Sequence, residues 1–303
     1  MPNNDSSNKP SQYHSIFNSS LFNNKTIIVT GGGSGIGRCT AHELASLGAT
    51  VILIGRKLEK LQTVAQEIKE DGGIADCFAC DIREEVAVQA TIKAILQTHT
   101  VIHGLVNNAG GQFPSPLTGI NQKGWETVVR TNLTGGFLMA KEVYLKSMSK
   151  HGGSIVNIVA DMWGGMPSMG HSGAARAGMV NFTQTAAVEW ASSGVRVNAI
   201  APGWVASSGM DSYPDSMKPW IINLRDAVPL KRLGTEAEVS SAICFLLSEG
   251  AGFISGDCLR VDGAASQGGR VVPLPPAKNS ESYDGFHRSV TPKIFQSENS
   301  DEK

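Results

Sequence analysis

The sequence predicts an α/β fold, a doubly wound parallel sheet of about seven strands in a single domain, and three observations carry that expectation. Short runs rich in β-branched residues alternate with segments whose apolar residues recur at helical spacing. Several of the short runs are apolar throughout, as strands covered on both faces must be. A glycine-rich turn separates the first such run from the first amphipathic segment.

In chain order, strands are expected at 26–30, 50–54, 74–80, 104–107, 154–159, 196–199 and 258–261. Helices are expected between them at 35–47, 58–71, 84–97, 125–150, 173–191 and 236–247. Right-handed crossovers then lay the helices on both faces of the sheet. Two irregular stretches remain, 110–124 and 202–229, and ligands of such sheets sit beyond the carboxyl ends of the strands, where these stretches begin. The second reads as a lid, whose Trp204, Met210, Tyr213, Met217 and Trp220 either line an apolar acyl channel or pack the loop down.

Apolar residues are spread evenly from Thr26 to about Val261, within 21–265, the expected domain of this 303-residue chain. Residues 1–20 read as a flexible tail and 266–303 as an irregular one, because neither has the apolar periodicity to form a core alone. A formal net charge of −1 removes the attraction that supplies most non-specific nucleic-acid affinity. No apolar run is long enough to cross a bilayer, the start is polar, and the end, Asp301-Glu302-Lys303, is no receptor-read address, so a cytoplasmic protein is expected. Five cysteines suit a reducing compartment, and Cys77 and Cys80 read as buried or half-buried thiols, without the further ligands a metal needs.

The turn Thr30-Gly31-Gly32-Gly33-Ser34-Gly35-Ile36-Gly37 follows the first strand and opens the first helix, the context a Rossmann-type dinucleotide site requires. Gly31 permits the tight turn, Gly35 lets a pyrophosphate approach the backbone, Gly37 allows close packing, and the helix N-terminus favours the phosphates. Gly33, Ser34 and Ile36 belong to the same turn. After the second strand, where an acid would select NAD, the chain has Gly55-Arg56-Lys57. Arg56 offers charge-assisted bonds to an additional phosphate, so NADP(H) is the expected cofactor.

The glycine turn, Asn107-Asn108-Ala109-Gly110, Thr131-Asn132-Leu133-Thr134 and Pro202-Gly203 together resemble the short-chain dehydrogenase/reductase family over roughly 21–265. That resemblance implies Asp81 and Ile82 beside the adenine, Asn108, Ala109 and Gly110 along the cofactor, and Asn132 holding a relay water. It likewise implies Pro202, Gly203, Val205 and Ser207 near the nicotinamide and diphosphate, and a homo-oligomer, usually a tetramer, built through helices 125–150 and 173–191.

The family's Ser, Tyr and Lys are replaced here by Val159, Ser172 and Arg176. A serine hydroxyl is less acidic and shorter than a phenol, so ordinary ketone reduction should be impaired. The string His171-Ser172-Gly173-Ala174-Ala175-Arg176-Ala177-Gly178 resembles the peroxisomal trans-2-enoyl-CoA reductases, with the 2,4-dienoyl-CoA reductases as further relatives. In such a reaction hydride adds to the β-carbon, an enolate forms on the thioester oxygen and the α-carbon takes the proton. Here Val180 stands where the enoyl reductases carry a Tyr, and Asp161 where the mitochondrial dienoyl enzyme has its acidic Tyr. Asp161 is therefore the expected acid, a role requiring desolvation, though it also fits a turn cap. Arg176 can bond the nicotinamide ribose but cannot shuttle a proton, and His171 is either an acid, its unperturbed pKa being near neutrality, or a structural residue before a helix.

The leading expectation is an NADPH-dependent reductase of a small-molecule enoyl thioester, with Asn132, Asp161, Ser172 and Arg176 shaping the site. A carbonyl or alcohol oxidoreductase borrowing an acid such as Tyr213 is the second reading. An inactive dinucleotide-binding protein is the third.

Overall fold

The computed structural model describes residues 11–213, 217–267, 274–277 and 279–299. Within them one parallel sheet contains β1 (Thr26–Thr30), β2 (Thr50–Gly55), β3 (Ile74–Ala79), β4 (Gly104–Asn107), β5 (Gly153–Ile158), β6 (Val195–Pro202) and β7 (Cys258–Val261). Their order is β3-β2-β1-β4-β5-β6-β7, so the direction of winding reverses between β1 and β4, where an open sheet leaves a crevice for ligand. The helices are α1 (Gly35–Ser46), α2 (Leu58–Glu70), α3 (Glu85–Thr98), α4 (Gln122–Val129), α5 (Gly135–Val143), α6 (Ser149–His151), α7 (Gly170–Glu189), α8 (Lys218–Ile222), α9 (Leu224–Ala227) and α10 (Glu236–Leu247). No described helix is long and apolar enough to cross a membrane.

The doubly wound architecture follows from where side chains go. On one face Leu44, Leu61, Val64, Ile68 and Ile243 of α1, α2 and α10 pack against Ile27, Val29, Val51 and Leu53. On the other, Ile92, Ile95, Met139, Val143 and Ala186 of α3, α5 and α7 pack against Ile28, Ile52, Leu105 and Ile155. Burial of each such side chain contributes about 1.5–3 kcal/mol, so consecutive apolar residues along a strand serve opposite layers. Cys77 joins the first layer and Cys80 the second. Their thiols therefore diverge, and burial pushes Cys77 up to about 11, unfavourable for a reactive thiolate.

Three expectations change. The helix expected at 125–150 starts at Gln122 and is interrupted by π-helical turns at Arg130–Thr134 and Tyr144–Met148. Asn132 sits in the first, and an extra residue per turn is a common way to aim a side chain at a functional site. The stretch 202–229 carries α8 and α9, and its Met210, Ile221 and Leu224 are buried in a small cluster with Trp204, Tyr213 and Met217. The cluster packs one side of the lid down, while Trp204, Tyr213 and Met217 stay half-buried and Trp220 is exposed.

The third change concerns the tails. Tyr13, within the segment expected to be flexible, is buried and donates to Glu43 Oε2 at 3.1 Å, while Ser15 donates to Oε1 at 2.7 Å. Phe286 is buried against Tyr13 and His42 under the Arg38 guanidinium, and Arg288 binds Asp71 at 2.7 Å. The two segments join directly: His14 N–H donates to Gly285 O at 2.9 Å and the Tyr283 hydroxyl to His14 O at 2.6 Å. Neither segment has a core of its own, but together they cover the backs of α1 and α2. A second C-terminal piece, the 3₁₀ run Lys293–Asn299, places Ile294 in the lid cluster.

Candidate active site

At the reversal point Thr30 and Asn108 tie the ends of β1 and β4 together. The Thr30 hydroxyl accepts from the amides of Asn108 and Ala109, each at 3.0 Å, and the Asn108 side chain donates to Thr30 O at 3.0 Å. The glycine turn is held against this clamp. Gly31 has φ +67° and Gly37 sits so close beneath it that a Cβ there would overlap the Gly31 carbonyl oxygen and the Asn108 amide. The turn borders a cleft of about 380 Å³ lined by Gly31, Gly33, Ser34, Ile36, Asp81 and Ile82. Asn108, Ala109, Gly110 and Ser207 also line it.

The same cleft is basic at the end beyond β2. Arg56, Lys57, Lys60 and Arg83 reach it. Arg83 is engaged by Asp81 at 2.5 Å, and that bond holds the Asp81 carboxyl down to about 2. Among the described residues Arg56, Lys57 and Lys60 form no ion pair. Lys60 and Arg83 were not expected from the sequence. Lys60 lies on α2, one turn beyond the Arg56-Lys57 pair, and helical projection of that first turn would have found it.

One carboxylate also borders the phosphate turn. Glu236, at the start of α10, would stand 3.8 Å from a Cβ at Gly35, and burial lifts it from 4.5 to about 7, opposed by Arg38 and reinforced by Asp284. Because the folded chain holds this proton up to about 7 and the unfolded chain only to its ordinary value, Glu236's contribution to stability declines as pH rises from about 4.5 to 7. A pyrophosphate at the turn should therefore bind best while Glu236 is protonated. Fluorescence titration with NADPH should show affinity falling about 5-fold between pH 6 and 8.5, the equivalent of about 1 kcal/mol of like-charge repulsion. Glu236→Gln should flatten that decline; an equal decline in the variant would rule it out.

At the other end of the cleft Asn132 grips Gly111 at two points, accepting from its amide and donating to its carbonyl, both at 2.9 Å. Arg176 lies beside this pair. Its Nη1 donates to Ile158 O at 2.5 Å, and a Cβ at Gly110 would stand 2.6 Å from its Nη2 and 3.0 Å from Asn132 Oδ1. Gly110 thus makes room for a guanidinium that any other residue would displace. No described carboxylate pairs with Arg176, its Nε has no partner, and burial lowers it to about 10, still protonated at neutral pH. The site holds an uncompensated positive charge.

One turn earlier on α7, Ser172 is fully buried and its hydroxyl donates to Gln112 Oε1 at 2.7 Å. His171 is buried too, accepting from Ser172 N at Nδ1 and meeting Phe113 edge-on at 4.5 Å, which is a positioning role. Asp161 lies half-buried in the loop after β5, with no described bond to Asn132, Ser172 or Arg176. Pro202 ends β6, Gly203 lies against Asp262, and Val205 turns its side chain into the core, leaving its backbone as its polar surface.

Residues 31–266 match the family model described as Enoyl-(Acyl carrier protein) reductase. The chain is 36% identical to the probable 2,4-dienoyl-CoA reductase of Bacillus subtilis (strain 168), over 79% of this chain and 95% of that protein. It is 34% identical to the peroxisomal 2,4-dienoyl-CoA reductase of Danio rerio, over 84% and 85% respectively. Among solved structures, the citronellol catabolism dehydrogenase of Pseudomonas aeruginosa PAO1 is 64% identical with a TM-score of 0.77, covering 84% of this chain and all of that one, 100%.

Proposed function

The chain belongs to the short-chain dehydrogenase/reductase family of oxidoreductases, and from that premise we propose that it is an NADPH-dependent reductase of enoyl thioesters of the 2-enoyl-CoA or dienoyl-CoA type. The observation that carries this reading is the unpaired Arg176 guanidinium beside Asn132, in a site where Ser172 stands in place of a phenol. A fixed, largely buried cation at the site favours an oxygen that becomes negative as hydride arrives, which is what an enolate needs. The Ser172 proton is committed to Gln112, so it is a poor donor to an alkoxide.

The residues present fit the dinucleotide. Over Gly35 only Glu236 comes within 4 Å of a Cβ, α1 directs its first amides there, and three cations without a described ion pair face the adenosine end. Bound there, the reduced nicotinamide supplies the hydride. Arg56, with Lys57 and Lys60 beside it, selects the phosphorylated form of the adenosine ribose. Asn132 and Gly110 hold the guanidinium and the backbone in register beneath the substrate. A homotetramer through α4–α6 and α7 belongs to the same reading, supported by the exposed Phe137 and Val188, and light scattering reads its mass.

The test is NADPH consumption with crotonyl-CoA, a longer 2-enoyl-CoA and a 3-methyl-branched one; no turnover with any of them defeats the proposal. Arg56→Ala should weaken NADPH about 10- to 30-fold, as for loss of a charge-assisted bond of about 1.5–2 kcal/mol, and leave NADH unchanged. An unchanged NADPH Michaelis constant would remove the cofactor preference. The solved relative named for citronellol catabolism favours a second reading, oxidation or reduction at a branched acyclic alcohol or carbonyl. Citronellol with NADP+ and a 3-oxoacyl thioester with NADPH distinguish it under the same conditions.

A further inference from the structure

The reduction needs a proton donor that none of the family's usual positions supplies, and the lid contains one joined to the site. Gln112, in the loop after β4, accepts from Ser172 Oγ at 2.7 Å and donates through Nε2 to the Tyr213 hydroxyl oxygen at 3.3 Å. Tyr213 comes from the lid, where its ring packs half-buried against Met210, Ile221 and Leu224. The direction of these bonds matters. Ser172 gives its proton away, whereas the Tyr213 oxygen accepts from an amide, so its own O–H has no described acceptor.

Resting on the enoyl-thioester reading, we propose that Tyr213 is the proton donor of the reduction and that Gln112 is the positioning residue that fixes its phenol beside the Ser172 end of α7. Ser172 and Arg176 are separated by one helical turn and share a face, so the amide bridge brings the phenol to the side of the site that Arg176 charges. In the step, hydride from the reduced nicotinamide forms the β C–H bond and the nicotinamide is oxidised. The π pair moves onto the thioester as an enolate facing Arg176. The enolate α-carbon then takes the proton as the Tyr213 O–H bond breaks, and water at the half-exposed lid reprotonates the phenolate. Asp161 serves less well. It lies half-buried in the loop after β5, with no described bond to Asn132, Ser172 or Arg176.

The test compares the wild type with Tyr213→Phe, Gln112→Ala and Asp161→Asn on two substrates, a 2-enoyl-CoA with NADPH and citronellol with NADP+. Tyr213→Phe should lower kcat about 100- to 1000-fold, the range of general acid catalysis, with KM and NADPH affinity within about 3-fold and the alkaline limb of the kcat profile gone. Gln112→Ala should lower kcat about 10-fold while KM and NADPH affinity stay within about 3-fold, a split that a general loss of structure would not give. A Tyr213→Phe variant within 3-fold of wild-type kcat would overturn the proposal, as would a loss confined to Asp161→Asn. Turnover of the alcohol alone defeats the enoyl reading while still testing Tyr213. No wild-type turnover of either substrate overturns both.

Discussion

Replacing Gly37 with alanine should give a folded chain that has lost its dinucleotide. The added Cβ would overlap the Gly31 carbonyl oxygen and the Asn108 side-chain amide, and neither can retreat cheaply. Gly31 is fixed by its own amide bond to Ile54 O at 2.7 Å, and Asn108 by its bond to Thr30 O. Overpacking of this kind costs about 1–3 kcal/mol of stability, which a domain of this size survives. The shifted turn, however, misplaces the backbone donors for the pyrophosphate, and losing two such charge-assisted bonds at about 1.5 kcal/mol each weakens binding by about 100-fold or more. Fluorescence titration with NADPH checks this against Gly164→Ala, where a Cβ meets open space. Retained affinity in Gly37→Ala would show that the phosphates lie elsewhere.

Phe286→Ala should destabilise the protein by about 3–5 kcal/mol, lowering the melting temperature by on the order of 5–10 °C. Phe286 is 1% exposed and fills the space between Tyr13, His42 and the Arg38 guanidinium, so truncation leaves a cavity that several elements border. Arg38 also binds Glu67 at 2.8 Å and Arg288 O at 3.1 Å, which ties the C-terminal segment to the helix that opens the phosphate turn. Urea denaturation followed by circular dichroism measures the loss. A midpoint unchanged from wild type would mean that the segment does not dock in solution.

The glycine turn, the Arg56-Lys57 pair and the seven strands were legible because each depends on residues close together in sequence. A strand–turn–helix junction is written in consecutive residues, and burial on two faces makes a strand apolar throughout. What was not legible depends on distance. Gln112 and Tyr213 are 101 residues apart, and the hydroxyl meets the amide only once the lid has folded. Arg38 and Arg288 are 250 residues apart, so nothing local marked Phe286 as a core residue in a polar stretch. The π-helical turn at Asn132 was missed for another reason: Arg130–Thr134 is flanked by helical dihedrals at both ends, and one inserted residue is a small phase shift within a long helical pattern.

The meeting of His14 with Tyr283 and Gly285 turns a linear chain into a closed ring, with the two ends as its clasp. A ring of this length is shut mainly by the contacts at the clasp, since further lengthening of the loop adds little entropy cost. Each end is therefore a partner of the other as well as of α1 and α2, and loosening one withdraws support from its counterpart. Damage at the two ends does not sum, because the first break has already opened the ring.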